Sequence, residues 1–475
     1  MIKIFSMLSP VKAGIAIMDR TITLPFLKDH HNHPSLYAVL DGSVYLGDAA
    51  DEAEALTLIE ERVGLAGRQG TGHHPGRDKN RGDNRSSGRD GNVILAHGWN
   101  DSRFSFSTSA LDLLPPVFIC GESLHNHLMN SGARELLRPD WKEAVDNIDD
   151  SSWVERHLPV ILRLMIDIAG LDAGALARFY EMLEGRGVWY AEEMLMSSAA
   201  VIDVFREAGL LDRTSLWTAP ESFREFNADE RSFVKGMKIW ADGALGARTA
   251  AVSMPWIDGV PGARTAGVSG KDDFDGTRLL IYSDDELSEF VAEAADAKKW
   301  LSIHSLGDLA CDQVLDVLER YSDEQGILPS TRMEHCQFIS LENAHRAWML
   351  GVVLSMQPNF SVDSVRYADR LSPEMLERNN PFRMLIDEAG YVPGIDLVFG
   401  SDGMPHGQPA ALENSLFPPF PGQRLTLYEF TSGYCAGAES GTMAMAVDIE
   451  KKKVSINQDE SHDDRMNPDG CLRED

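Results

Sequence analysis

A short run near the start of the chain combines side chains that could bind a metal ion. The apolar residues 24–27 are followed by the sequence Asp-His-His-Asn-His at positions 29–33. His31 and His33 are two residues apart, so on an extended chain both imidazoles face the same side and can chelate one ion. This run supplies the first two candidate metal ligands.

Four more polar residues occupy or close apolar runs farther along the chain, namely Lys238, His304, His335 and Asp402. Each has an ordinary explanation when taken alone, since a single histidine at a strand end is more often a hydrogen-bonded structural residue. Imidazole and carboxylate together, without a thiolate, suit a catalytic site for zinc or a neighbouring first-row metal. Such residues on five separate runs predict one shared site.

Parallel β-strands would bring these residues together. Short β-type runs alternate with helix-like stretches, in the pattern that builds βαβ units. The eight predicted strands are Pro25–His31, Val188–Glu192, Ser215–Ala219, Met237–Ala241, Leu301–His304, Arg332–His335, Val352–Met356 and Leu397–Gly400. They predict an α/β fold, a (β/α)8 barrel of TIM type whose active site lies where the strands end. Predicted helices between them include Asp285–Lys299, Leu309–Tyr321 and Pro373–Ala389.

A long segment interrupts this alternation after the first strand. Residues 42–187 are too many for one strand-to-helix connection, so we expect a large insertion that covers part of the barrel mouth. It contains the short β runs Val93–His97 and Val117–Cys120. Residues 67–92 and the tail 457–475 are almost devoid of apolar side chains and are predicted to be disordered.

The composition excludes several classes of protein. The 475 residues include 44 Lys and Arg against 74 Asp and Glu, a formal net charge of −30 that argues against binding to nucleic acid or to anionic membranes. The five cysteines are scattered and odd in number, and the N-terminal residues lack the apolar core of a signal peptide. We expect a cytoplasmic protein that acts on a small molecule and is able to form a homo-oligomer.

Taken together, the candidate residues resemble the motifs of the amidohydrolase superfamily, and within it the metal-dependent hydrolases of amidohydrolase family 3. Residues 25–33, PFLKDHHNH, resemble its opening PGFID-x-HxH motif, and residues 237–251, MKIWADGALGARTAA, resemble its VKxFxDGSxGSRTAA segment. HSLGD at 304–308, RMEHCQ at 332–337, SMQP at 355–358 and GSD at 400–402 follow in family order. The segment around Lys238 is the most specific of these matches.

The resemblance implies a ligand set and a reaction. The implied metal ligands are His31 and His33 for one ion, His304 and His335 for a second, and Lys238 and Asp402. Lys238 would be a carboxylated bridge and Asp402 the general base. The implied cofactor is a divalent metal, zinc with manganese or iron as alternatives, as one or two ions. The implied activity is hydrolysis of a non-peptide C–N bond of the amide type by a metal-bound hydroxide.

The resemblance also implies a β-sandwich made from the chain termini. Only residues 1–24 and 440–456 are available for it, which predicts a reduced remnant flanking a barrel over residues 25–439.

Several alternatives stay open at this stage. The same hydroxide could attack an ester or a lactone, and a barrel of this kind can also serve as a catalytically silent binding or assembly module. Lys238 could be an ordinary lysine paired with Asp242 or Asp402. Asp29 and Asp308 are candidates for orienting the ligands. The expected substrate contacts are Trp99, Arg248, Gln357 and His406, with other residues such as His125 near the mouth.

Overall fold

Eight parallel strands form the central sheet of the protein. The computed structural model describes residues 20–69, 93–101, 103–257, 279–437 and 441–457. With strands numbered in chain order, the sheet runs β2 (Leu27–Asn32), β7 (Val188–Met196), β8 (Thr214–Thr218), β9 (Val234–Trp240), β10 (Trp300–Ser305), β11 (Thr331–His335), β12 (Val353–Met356) and β13 (Leu397–Phe399). Each predicted strand overlaps one of these, and the predicted barrel fold is confirmed.

The barrel closes where the chain after β13 returns to β2. The Asp402 N–H donates a hydrogen bond to the His31 carbonyl at 2.7 Å. The Asp29 carboxylate accepts from the N–H and the hydroxyl of Ser401, at 2.8 and 2.5 Å. A Cβ atom at Gly400 would lie 2.3 Å from the backbone nitrogen of His31, so glycine is required for this close approach.

Helices surround the barrel and fill the connections between its strands. They are α1 (Pro34–Leu40), α2 (Glu52–Gln69), α3 (Thr108–Leu111), α4 (Ser131–Asn147), α5 (Ser151–Arg156), α6 (Leu158–Ala169), α7 (Ala173–Gly185), α8 (Ala200–Glu207), α9 (Pro220–Glu225), α10 (Ala228–Phe233), α11 (Asp284–Ala297), α12 (Asp308–Gln325), α13 (Leu341–Met349), α14 (Asp363–Arg366), α15 (Pro373–Arg378), α16 (Gln408–Leu416) and α17 (Leu427–Gly433). In the part of the chain that the structure describes, none of them is long and apolar enough to cross a membrane.

Local sequence explains where these helices begin and end. The helix predicted over Asp285–Lys299 is α11, which starts at a capping box between Ser283 and Glu286. It ends at Lys298, whose backbone has a left-handed conformation. The helix predicted over Leu309–Tyr321 is α12, whose C-terminal Gly326 has a positive φ of 77°.

The prediction of one helix over Pro373–Ala389 was wrong. The helix α15 ends at Arg378, and the backbone resumes as a short π-helical turn over Met384–Glu388. The break lies at Asn380, which has a φ of 50°, and at Pro381, which follows it. Proline has no N–H for a helical hydrogen bond and disfavours the helical conformation in the residue before it.

The long insertion folds as a second, smaller α/β layer. Its four-stranded sheet contains β3 (Val44–Tyr45), β4 (Ile94–Trp99), β5 (Val117–Gly121) and β6 (His127–Met129). The first three strands are parallel and β6 is antiparallel to β5, with an apolar core of its own that includes Leu46 and Ile119. The predicted β runs of the insertion are β4 and β5. Of the segment 67–92, residues 67–69 end α2 and residues 70–92 lie outside the described residues.

A three-stranded antiparallel sheet joins the two ends of the described chain. It pairs β1 (Arg20–Pro25) with β14 (Thr442–Asp448), and β14 with β15 (Lys453–Ile456). Glu413 of α16 ties it to the barrel by accepting from the Lys453 ammonium at 2.9 Å and from the Val454 N–H at 3.0 Å. The sheet occupies the sequence positions from which we expected the reduced sandwich. Residues 1–19 and residues 458–475 of the tail lie outside the described part of the chain.

Candidate metal centre

The strand register places the polar side chains at two levels inside the barrel. Lys238 of β9 is aligned with Ser302 of β10, which is aligned with Arg332 of β11. Two residues nearer the carboxyl ends of the strands, His304 of β10 is aligned with Glu334 of β11. Because residues two apart on a strand face the same side, these side chains share the barrel interior.

Three of the predicted ligands converge on one point. Nitrogen atoms of His31 and His335 and a carboxylate oxygen of Asp402 all lie within 4.8 Å of one another. The Asp402 Oδ1 atom is 3.6 Å from His31 Nε2 and 3.3 Å from His33 Nε2. Two imidazoles and a carboxylate at this spacing fit a divalent first-row metal, and His33 lies close enough to join them.

The neighbouring histidines affect the pKa of the Asp402 carboxyl group. Burial tends to raise its pKa, but His31, His33 and His335 hold the pKa of Asp402 below its usual range. The group is therefore kept as the carboxylate, the form that binds a cation or accepts a proton.

His304 lies beside this cluster and faces a different partner. Its ring centroid is 4.4 Å from that of His335. Its Nε2 atom is 2.9 Å from the carbonyl oxygen of Gly243 and 3.4 Å from the Asp242 carboxylate. The structure thus brings His304 to the site with this nitrogen already engaged by the loop after β9.

Lys238 is enclosed in the centre of the barrel. Its side chain is buried, and within the described residues Nζ makes no hydrogen bond and no ion pair, although Asp242 and Asp402 were considered as partners. Nζ lies 5.7 Å from the centre of the Trp240 ring. Burial lowers the pKa of Lys238 to about 8. A buried amine without a partner is costly, which fits a position where a further bound group satisfies the nitrogen.

Glu334 holds the first histidine in place, a role that the sequence analysis did not assign. Its Oε2 atom lies 2.7 Å from His31 Nδ1, and its Oε1 atom accepts from the Ser302 hydroxyl at 2.7 Å and from the Arg332 guanidinium. Burial tends to raise the pKa of Glu334, but Arg332 and His31 hold it well below its usual range. With Nδ1 bound to a carboxylate, Nε2 of His31 remains for a metal.

Three buried aspartates hold the loops that carry the ligands. Asp242 accepts from the N–H groups of Ala251, Leu306 and Gly307 at 2.8–2.9 Å, which ties the loop after β9 to the loop after β10. Burial raises the pKa of Asp242 to about 7. Asp308 accepts from the Ser253 N–H at 2.7 Å. Together with Asp29 at the closure of the barrel, they position backbone rather than contacting Lys238.

Several site residues have an unusual backbone conformation. His335, Cys336 and Asp402 have φ values of 70°, 47° and 52°, in the left-handed region that residues other than glycine rarely adopt. Such strain persists where the surrounding structure over-determines it, and it concentrates at functional sites. Here it turns the His335 and Asp402 side chains toward the centre of the barrel end.

A cleft leads to these residues. His304, His335 and Asp402 line its inner end. The turn between β5 and β6 contributes Ser123 and His125 to its walls, and the chain around α14 contributes Arg366 and Tyr367. The inserted layer therefore forms part of the entrance, as expected.

Of the expected substrate contacts, His125 lines this cleft, whereas Trp99, Arg248, Gln357 and His406 do not. Trp99 packs in the core of the inserted layer, where its indole N–H donates to the Phe104 carbonyl at 3.0 Å. Gln357 is buried and its Oε1 atom lies 2.8 Å from Nδ1 of His335, a candidate ligand. His406 packs edge-on against Tyr37, and Arg248 occupies a left-handed turn of the loop after β9. Proximity in sequence to a motif did not decide which side chains face the opening.

The fold and site define a class of protein, an α/β barrel with imidazole and carboxylate groups converging at the carboxyl ends of its strands. The model of the Amidohydrolase family matches residues 173–411, about half of the chain. The chain belongs to this family, as its motifs indicated. The match begins after the inserted layer and ends beyond Asp402.

The chain is also similar to two curated relatives and to a solved structure. YtcJ of Bacillus subtilis (strain 168), assigned to the amidohydrolases, is 28% identical over 167 residues, and LONG AFTER FAR-RED 3 of Arabidopsis thaliana is 29% identical over 132 residues. These alignments cover 35% and 28% of this chain, and only 28% and 20% of the relatives' length. A metal-dependent hydrolase of uncharacterised function from Pyrococcus furiosus has the same fold, with a TM-score of 0.58, 20% identity and coverage of 88% and 83% of the two chains.

Proposed function

We propose that this protein is a metal-dependent hydrolase that cleaves a non-peptide C–N bond of a small amide. One observation carries the proposal. His31, His335 and Asp402 converge within 4.8 Å beside an open cleft, in a barrel where the buried Lys238 amine has no hydrogen-bond partner among the described residues. Membership of the amidohydrolase family supports the same reaction class.

The donor groups of this chain fit divalent metal ions. We propose the ligand set His31, His33, Lys238, His304, His335 and Asp402, with Lys238 as its carbamate, because that form turns the amine into an anionic oxygen ligand. Bound zinc, or manganese or iron in its place, would supply Lewis-acid activation of water and of the scissile carbonyl.

Asp402 is the group that we propose to move the proton. It would accept a proton from the attacking water and return it to the leaving nitrogen, which yields an acid and an amine. Its position supports this role, because its N–H donates to the His31 carbonyl at 2.7 Å and its own carbonyl accepts from the Tyr37 hydroxyl at 2.8 Å. The loop is thus fixed on both sides, and only the carboxylate is left to face the cleft.

Metal analysis and a substrate panel test the proposal together. Protein purified without chelator is analysed for metal, and is then supplied with zinc, manganese or iron and offered N-acyl amines, N-formyl amines, cyclic amides, esters and lactones. We expect at least one metal ion per chain and turnover of amides in preference to esters. Less than one metal per chain and no turnover after metal addition would contradict the proposal and favour a silent barrel.

A matched pair of lysine variants tests the role of Lys238. Lys238→Ala removes the buried amine, whereas Lys299→Ala removes a lysine at the opposite end of the barrel, where Nζ donates to the Val234 carbonyl at 2.6 Å. We expect Lys238→Ala to lower kcat/KM by at least 100-fold with loss of bound metal, and Lys299→Ala to stay within about threefold of wild type. Equal turnover by the two variants would show that Lys238 is not a ligand.

A further inference from the structure

A histidine from the inserted layer reaches the cleft without belonging to any of the ligand motifs. His125 lies in the turn between β5 and β6, and its ring lines the same cleft as His304, His335 and Asp402. The ring centroids of His125 and His304 are 6.2 Å apart. This histidine therefore faces the space where a substrate would approach the proposed metal ligands.

A buried carboxylate holds the ring of His125. Glu155 of α5 has a fully buried carboxylate, and its Oε2 atom lies 2.6 Å from His125 Nδ1. Its Oε1 atom accepts from the Thr249 hydroxyl at 2.6 Å. A carboxylate accepts hydrogen bonds only, so Nδ1 of His125 must carry the proton in this contact.

The loop after β9 is shaped around this pair. The Thr249 hydroxyl also accepts from the Ala244 N–H at 2.9 Å, which fixes its position in the turn. A Cβ atom at Gly243 would lie 2.1 Å from the Thr249 hydroxyl oxygen and 2.7 Å from Glu155 Oε1. Three separated segments of the chain thus meet to hold one imidazole, which is more than a packing role requires.

The second nitrogen of His125 is the atom left for a bound molecule. Within the described residues, Nε2 makes no hydrogen bond, while Nδ1 is committed to Glu155. Burial tends to lower the pKa of His125, but Glu155 raises it overall. The carboxylate therefore also favours the form of the ring in which Nε2 donates a hydrogen bond.

We propose that His125 is a further catalytic residue, positioned by Glu155, whose Nε2 atom hydrogen-bonds the scissile amide group of the substrate. This inference rests on the proposed function. It assigns the inserted layer a part in the reaction beyond covering the barrel mouth. The substrate class that fits is a small amide. Its carbonyl group must be able to lie close to the proposed metal ligands and to His125 at the same time.

Kinetics of four variants test the proposal. The variants are His125→Ala, Glu155→Gln, the double variant that combines both changes, and His157→Gln as a matched control. His157 is two residues from Glu155, but its ring stacks on Trp153 and does not line the cleft. Glu155→Gln keeps the size of the side chain and removes its charge, so it is informative even if the alanine variant folds poorly.

We expect His125→Ala to lower kcat by about 100-fold with KM changed less than threefold, because the contact matters most when charge develops on the amide. Glu155→Gln should lower kcat by about tenfold. The double variant should be no worse than His125→Ala, because Glu155 acts through His125. Metal content should match that of His157→Gln throughout. Unchanged kcat in His125→Ala, or additive losses in the double variant, would overturn the proposal.

A binding measurement separates this inference from the proposed function. Acetohydroxamate, which binds metals as an anion and so carries the kind of charge that develops on the amide in the transition state, is titrated calorimetrically into the metal-loaded proteins. We expect its Kd to weaken at least tenfold in His125→Ala and to be unchanged in His157→Gln. If the wild type hydrolyses no amide, the proposed function fails, whereas His125 is still judged by this titration. Equal affinity in both variants, or no binding to wild type, would count against the role of His125.

Discussion

Glu334 is a buried side chain that contacts a candidate metal ligand, His31. It is fully buried and touches His31, Ser302 and Arg332, which belong to three different strands. The Arg332 guanidinium on one side keeps it ionised, and His31 on the other side is held by that charge. A carboxylate behind a metal-binding imidazole fixes the ring orientation and makes the ring a better donor.

The first prediction concerns this carboxylate. Glu334→Gln keeps the shape of the side chain but removes the charge that holds His31 Nδ1 at 2.7 Å. We expect metal affinity to fall about 10–100-fold, the usual effect of losing such a partner. Competition with a chromogenic chelator measures the change. Glu413→Gln, which removes a carboxylate from the surface pair with Lys453, is the control. An affinity within twofold of wild type would show that Glu334 does not orient a ligand.

Sequence patterns could identify residues at strand ends but not the groups behind them. His31, His335 and Asp402 were found because each closes an apolar run, and the structure brings them within 4.8 Å. Glu334 was overlooked because its neighbour His335 drew the assignment, although alternation along a strand marks Arg332 and Glu334 as inward-facing. Glu155 gave no such signal, since its partner His125 is 30 residues away in a different element.

At the scale of elements, the closure between β2 and β13 is made by loop and side-chain contacts, because these two strands are not paired in the sheet. Asp29 is buried there and accepts four hydrogen bonds, from the His31 and Ser401 N–H groups, the Ser401 hydroxyl and the Asn32 amide. The loop that it holds also contains Asp402. The same side chain therefore links the stability of the fold to the position of the proposed general base.

The second prediction is that Asp29→Ala destabilises the protein by about 2–4 kcal/mol, because it leaves several buried donors without an acceptor. Urea unfolding followed by circular dichroism measures the change through the midpoint at constant slope. Asp41→Ala, at the exposed end of α1, is the matched control and should change stability by less than about 0.5 kcal/mol. A loss below 1 kcal/mol in Asp29→Ala would mean that the closure depends on other contacts.

Elements inside the barrel were predictable because each strand is a buried apolar run with a polar end. The inserted layer was only partly predictable. Its strands β3 and β6 have two and three residues, which are too few to show the alternation of apolar and polar side chains that indicates a strand. Only β4 and β5 were predicted. The false helix over Pro373–Ala389 has a related cause, since an amphipathic pattern continued across Asn380 and Pro381 where the backbone does not.

At the scale of the whole molecule, the acidic excess should affect which substrates approach. The chain has a formal net charge of −30, and Arg366 in the lining of the cleft lies 3.6 Å from Glu122 and 4.0 Å from Asp363. We expect a cationic amide to be hydrolysed with a several-fold higher kcat/KM than an anionic amide of the same size at low salt. The difference should shrink in 0.5 M NaCl, because the Debye length falls from about 30 Å at 0.01 M ionic strength to about 4 Å. Preference for the anion at low salt would contradict this prediction.

The last prediction concerns metal removal and the stability of the whole barrel. The proposed ligands come from β2, β9, β10, β11 and the loop after β13, so a bound ion would connect strands from both sides of the closure. An ion that binds only the folded state stabilises it by RT ln(1 + [L]/Kd), about 4 kcal/mol at a free concentration 1,000 times Kd. We therefore expect dialysis against dipicolinate to lower Tm by at least 5 °C and added zinc or manganese to restore it, as measured by calorimetry. Lys238→Ala should show less than half of this shift, because it lacks one of the proposed ligands, whereas Lys299→Ala should show all of it. An identical Tm with and without metal in the wild type would mean that these strand ends do not hold a metal in the folded protein.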